Sequence, residues 1–281
     1  MRLVLFNDYR LGVLKDGTVF DVSDALPFWD NAWPQTFIIK LCERFKEFQP
    51  KLATAAKGKE GIPVDRVKLL PPIVNPTKIV GAFSNYILHS QEMRNDPNIK
   101  RESPEVFIKP SSSLAAHGDV IELPRVPEGT RIQHEAELAA VIGRKCKGVK
   151  AQRAKEVVIG YSCLMDITVR GEGDRSRRKG YDTFTPLGPC FISAEELGDP
   201  HNLEINLWVN NELRQQANTK DMIFNTWALI EYTTRCMTLY PGDILATGTP
   251  HHVGDIQDGD TLSIEIENIG RMSLLVKARG W

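Results

Sequence analysis

The sequence predicts an α+β protein in which strands predominate. Short segments rich in Val, Ile and Leu recur along the chain, separated by Asn, Asp, Gly and Pro. Only a few segments carry the 3.6-residue period of a helix. No apolar run approaches the ~20 residues that a bilayer-spanning helix needs.

Residues 1–22 read as three short strands, Arg2 to Phe6, Arg10 to Leu14 and Thr18 to Val22. Turn-forming Asn7-Asp8 and Asp16-Gly17 separate them. Phe37, Ile38, Leu41, Phe45 and Phe48 share one helical face, and Pro50 is expected to end that helix. Pro63, Pro71, Pro72 and Pro76 mark a boundary. It divides the chain into a small N-terminal α/β domain, 1–70, and a larger domain, 71–281. Thr77 to Phe83 is a strand. Residues 88–104 are polar and read as a surface loop with one helical turn.

Strands follow at Glu105 to Lys109, Val120 to Leu123, His134 to Gly143 and Tyr161 to Val169. Ala151 to Ile159 reads as a helix. Leu203 to Val209 and Glu212 to Gln216 form a hairpin through Asn210-Asn211. Trp227 to Thr234 is helical. Thr238 to Thr247 holds a Pro241-Gly242 turn. Thr261 to Ile266 and Arg271 to Lys277 close the chain as paired strands.

The formal net charge is −1, so nothing in the bulk composition points to nucleic acid or to a membrane surface. The N-terminal apolar stretch is too short for a signal peptide. Five scattered cysteines without a Cys-x-x-Cys pair indicate neither a zinc site nor a disulfide framework. A reducing cytoplasm is the expected compartment.

The chemistry concentrates between His134 and Pro189. On a strand, Glu135 and Glu137 share a row with Ala139 and Val141, while Ala136, Leu138, Ala140 and Ile142 form the other row. Two partly buried carboxylates at that spacing repel unless a proton or cation lies between them. Asp166 joins a polar row with Ser162 and Thr168. Three carboxylates are the oxygen donor set of a hard divalent ion such as Mg²⁺. A solvated strand edge is the competing reading of the two glutamates.

His89 and Glu92 are three apart, as an imidazole and its orienting carboxylate would be on one helical turn, or as two solvated residues of a loop. Arg170, Arg175, Arg177, Arg178 and Lys179 offer charge to an anionic substrate, and some of them read equally as solvated. Gly171-Glu172-Gly173 lacks the third glycine and the strand-turn-helix context of a dinucleotide site. His251 and His252, on an extended segment, would point to opposite sides, so at most one faces a site.

Taken together, several segments resemble the fumarylacetoacetate hydrolase family. They are Lys78 to Gly81, Asn85 to Glu92, Phe107 to Pro110, Glu135 to Gly143, Gly160-Tyr161 through Asp166, Lys179 to Pro189 and Leu239 to Pro250. They occur in order over roughly 70–281. The resemblance implies a mixed β-roll catalytic domain, usually dimeric, with Mg²⁺ or Mn²⁺ held by Glu135, Glu137 and Asp166. It implies a water-activating pair, His89 and Glu92, on a lid. Lys179 matches the lysine near the metal, and Thr249 the threonine that meets the substrate carboxylate. Tyr86 and Arg170 are expected beside the substrate.

Two segments depart from the family pattern. Arg170-Gly171-Glu172-Gly173 lacks a glutamine that often follows the arginine. His251-His252 replaces a small residue and glycine. The implied activity is metal-dependent C–C hydrolysis of a 2,4-dioxo acid to pyruvate and a carboxylic acid, in aromatic or sugar-acid catabolism. Oxaloacetate-type decarboxylation, keto–enol isomerisation of an unsaturated 2-hydroxy diacid, and a non-catalytic metal-dependent binding protein are the alternatives.

Overall fold

A computed structural model describes residues 1–171 and 173–279. Strand outweighs helix, as expected for the α+β class. Among the described residues the strands form a twelve-stranded sheet, a five-stranded sheet and a two-stranded ribbon.

Two apolar cores give the molecule its layers. One lies between the two large sheets. It joins Ala136, Leu138, Ala140 and Ile142 to Ile205, Leu207, Leu262, Ile264, Met272 and Leu274. The other lies on the opposite face of the twelve-stranded sheet. There Ala139, Val141, Leu164 and Leu187 meet Phe37, Leu41, Phe45, Phe48 and Leu52 of two helices. The period-two pattern of Ala136–Ile142 therefore feeds a separate core from each row. The strand is central, flanked by Val158–Met165 and Ile244–Ala246, and all seven residues are buried. A solvated edge is excluded for it.

The N-terminal strands continue this sheet rather than standing apart from it. Arg2–Phe6 pairs antiparallel with Thr185–Ser193, and the order runs outward through Arg10–Lys15 and Thr18–Asp21.

Several local expectations need correction. Pro50 does not end the first helical region. The break comes earlier, at Arg44, between helices Phe37–Glu43 and Phe45–Ala55, and Pro50 lies inside the second. It is exposed, as is Lys46 one turn before it, so the carbonyl that loses its partner can face water. Ala151–Ala154 is a single turn, because Val158 already belongs to the next strand. That strand ends at Met165, and a two-residue strand, Thr168–Val169, follows after Asp166. The segment read as a surface loop with one helical turn holds a longer helix, Ile87–Arg94, closed by Asn95 in a left-handed conformation.

Candidate active site

The carboxylates meet because of strand register. Ala136 pairs with Met165, and the Asp166 N–H donates to the Glu135 carbonyl at 2.9 Å. Asp166 is thereby placed beside Glu135. Ile244–Ala246 flanks the same strand on its other side, and the Thr247 N–H donates to the Leu138 carbonyl at 3.0 Å. This brings the Gly248 N–H to 2.7 Å from Glu137 Oε2 and carries Thr249 into the same region. One carboxylate oxygen from each of Glu135, Glu137 and Asp166 lies within 4.8 Å of the others, and all three residues are buried.

Two lysines enter from separate elements. Asp174 caps the short helix Arg175–Lys179 by accepting from the Ser176 N–H. At its end Lys179 Nζ donates to Glu135 Oε2 at 2.9 Å, Asp166 Oδ2 at 2.5 Å and Thr168 Oγ1 at 2.6 Å. Lys109 closes the strand Val106–Lys109 and is fully buried. Its ammonium donates to Asp166 Oδ1 and to the Phe184 carbonyl. Sequence reasoning gave Lys109 no role, and only its place inside a matching segment pointed to it.

Burial and these charges split the two glutamates. Burial pushes the Glu137 carboxyl well above its ordinary value, and Asp166 and Glu135 push it further. Burial acts on Glu135 too, but Lys179 and Arg170 outweigh it and hold that carboxyl below the ordinary range. Burial disfavours the Lys179 ammonium, yet Asp166 and Glu135 raise its pKa overall, whereas burial lowers that of Lys109.

The donor set fits a divalent ion. Three buried carboxylate oxygens converge, and their mutual repulsion, which raises the Glu137 pKa, is what a bound cation would relieve. With all three carboxylates ionised, as a bound cation would hold them, Lys109, Lys179 and Arg170 balance their charge. A divalent ion would leave the site positive, which suits an anionic substrate.

The remaining expected residues surround this cluster. His89 is buried, and Glu92 is half-exposed. His89 Nδ1 lies 3.5 Å from Glu92 Oε2 and has no hydrogen-bond partner among the described residues, so the pair is in reach but not closed. His89 lies near enough to Glu135 that a positive charge on its ring would lower the Glu135 pKa. The Tyr86 hydroxyl is buried without a partner among the described residues, with Glu137 near enough to add to the effect of burial in raising its pKa. Arg170 is already engaged, with Nε donating to Gln133 Oε1 at 2.5 Å and Nη2 to Glu135 Oε1 at 2.6 Å.

The other basic residues divide. Arg175 stacks on Phe83 with its guanidinium carbon 3.9 Å from the ring centre. Arg178 keeps a buried Nε with no partner among the described residues, and Arg177 is exposed. Within the departing segment Arg170-Gly171-Glu172-Gly173, Glu172 lies outside the described residues.

The two histidines do not point apart. His252 has φ +64°, so the segment is not extended, and the rings lie 4.1 Å apart. The His252 N–H donates to Glu92 Oε2 at 3.1 Å, which ties this loop to the helix bearing His89.

The family's sequence profile, described as fumarylacetoacetate (FAA) hydrolase C-terminal, matches residues 78–277. The chain belongs to the fumarylacetoacetate hydrolase family. Within that family it is 36% identical over 288 residues to maleylpyruvate hydrolase of Aquipseudomonas alcaligenes, covering 99% of this chain and 100% of the relative. A crystal structure of maleylpyruvate hydrolase from Sphingobium sp. SYK-6, in complex with manganese(II) and pyruvate, superposes with a TM-score of 0.90. It is 38% identical, with 100% of each chain covered. Mitochondrial oxaloacetate tautomerase of Rattus norvegicus is 38% identical over 291 residues, 96% of this chain and 90% of the relative.

Proposed function

We propose that the protein is a divalent-metal-dependent hydrolase that cleaves a 2,4-dioxo acid of the acylpyruvate type into pyruvate and a carboxylic acid. The observation that carries this reading is the His89–Glu92 pair beside the carboxylate cluster. Hydrolysis needs an activated water, and this pair provides for one. Full-length similarity to maleylpyruvate hydrolases supports the same reaction and makes maleylpyruvate the first substrate to try.

Glu135, Glu137 and Asp166 would hold Mg²⁺ or Mn²⁺, which supplies Lewis-acid polarisation of substrate oxygens. The chain's own groups do the rest. Glu92 accepts a hydrogen bond from the His89 Nδ1–H, leaving Nε2 to accept a proton from water. The hydroxide so formed attacks the distal carbonyl, and the C–C bond to the pyruvyl half breaks. The bonding electrons leave with that half, which takes up a proton to become pyruvate. Lys179 offsets its developing negative charge. The Tyr86 hydroxyl donates to a substrate oxygen, and Thr249 to the substrate carboxylate. Arg170 adds positive charge at the same end.

A second reading, keto–enol tautomerisation, has the support of the oxaloacetate tautomerase relative. The two differ in their products. Incubation of maleylpyruvate or a simple acylpyruvate with Mn²⁺ should release pyruvate and a carboxylic acid in equal amounts. Enol–keto exchange of oxaloacetate without pyruvate release from either acylpyruvate would favour tautomerisation instead.

In the same proposal, residues 1–70 form a small N-terminal domain before the 71–281 catalytic domain, with its strands continuing the catalytic domain's sheet. The start of the family match at residue 78 supports that division. A homodimer is the proposed assembly, with light scattering as its check. A cytoplasmic location goes with it. No helix among the described residues is long and apolar enough to cross a membrane.

A further inference from the structure

Gln215 lies on the strand Glu212–Asn218 of the five-stranded sheet and is fully buried. Its amide joins segments that the chain keeps far apart. Oε1 accepts from the Ala136 N–H at 3.0 Å, at the start of the carboxylate strand. It also meets His134 Nδ1 at 3.1 Å. Nε2 donates toward Thr249 Oγ1 at 3.0 Å, the Pro250 carbonyl at 2.9 Å and the His251 carbonyl at 3.2 Å.

The amide has only one sensible orientation. A backbone N–H only donates, and backbone carbonyls only accept. Turning the amide over would set N–H against N–H and oxygen against oxygen, all in a buried site. Thr249 Oγ1 is therefore an acceptor in its contact with Gln215. Its own proton is left to donate elsewhere, and no described residue takes it. Thr249 is itself buried and follows Gly248, whose N–H binds Glu137.

We infer that Gln215 is a positioning residue that holds the Thr249 hydroxyl with its proton turned toward the substrate carboxylate. The inference rests on the reading of Thr249 given above. Gln215 touches no reacting atom; it acts by removing the hydroxyl's alternative. A hydroxyl free to rotate would spend part of its time donating to the neighbouring carbonyls. A glutamate at 215 would compete directly for that proton, because a carboxylate accepts where the amide donates.

The test is a double-mutant cycle read by pyruvate binding in the presence of Mn²⁺, measured by titration calorimetry, with KM and kcat for an acylpyruvate alongside. Gln215→Met should weaken pyruvate about tenfold and raise KM more than it lowers kcat. Gln215→Glu keeps the acceptor for Ala136 and His134, so it serves if the Met variant does not fold. It should weaken pyruvate further. In a Thr249→Val background either change should alter pyruvate affinity by less than twofold, since the hydroxyl that Gln215 directs is gone. Equal losses in both backgrounds would overturn the inference and leave the Thr249 reading standing. Undiminished pyruvate affinity in Thr249→Val alone would overturn both.

Discussion

Lys179 Nζ lies 2.9 Å from Glu135 Oε2, so the ammonium occupies the same carboxylate that is expected to hold the metal. The contact has two opposing consequences. The positive charge weakens the attraction of the cluster for a divalent ion, and it stabilises negative charge on the substrate. Lys179→Met should therefore bind Mn²⁺ more tightly while kcat falls by ~10²–10³. Calorimetry with Mn²⁺ and steady-state kinetics on one preparation would check both arms. Loss of metal binding together with kcat would instead make Lys179 a structural support.

Glu137 gives a prediction about protons. Burial, with Asp166 and Glu135 beside it, raises its pKa well above the ordinary value, which favours a proton there when no cation is bound. A divalent ion takes the place of that proton. Metal binding should release about one proton and should strengthen as pH rises toward the Glu137 pKa. Titrations in buffers of different ionisation enthalpy would count the proton. Glu137→Gln should abolish its release and weaken the metal.

His89 and Glu92 separate water activation from metal binding. His89→Asn should lower acylpyruvate hydrolysis by ~10²–10⁴ while Mn²⁺ affinity stays within about threefold. Glu92→Gln should cost less, because it removes the orienting carboxylate and leaves the imidazole. Unchanged pyruvate release by His89→Asn would sink the hydrolytic role.

Glu231 offers a test of stability away from the site. It accepts from Arg235 at 2.6 Å and from the Ala151 N–H at 2.9 Å, linking Thr226–Cys236 to the turn Ala151–Ala154. These partners, the Arg235 hydrogen bond first, lower its pKa from 4.5 to about 2. A depressed carboxylate stabilises the fold above its unfolded pKa and loses that effect as pH falls through the folded one. The urea midpoint of Glu231→Gln should lie below that of the parent at pH 7. The gap should close as pH falls from 4.5 toward 2, and a constant gap would rule this linkage out.

The sequence by itself determined what depends on near neighbours. Alternation along 135–142 placed Glu135 and Glu137 on one row, and spacing put His89 and Glu92 on one helical face. Ordered multi-residue matches pointed to the family, and with it to the roles expected of Lys179 and Thr249.

Tertiary structure decided what depends on pairing between distant segments. Strand register set Asp166 beside Glu135, and sheet order buried the carboxylate strand on both faces. It brought Lys109 to Asp166, and Gln215 to both Ala136 and Thr249. Arg170 looked like a free cation in a glycine-rich loop, yet it pairs with Glu135 because Thr168–Val169 binds Ile132–Gln133. His251 and His252 came together through a left-handed backbone that their residue types do not announce. Each of these contacts joins residues far apart in the chain or turns on a backbone angle. Local periodicity carries neither kind of information.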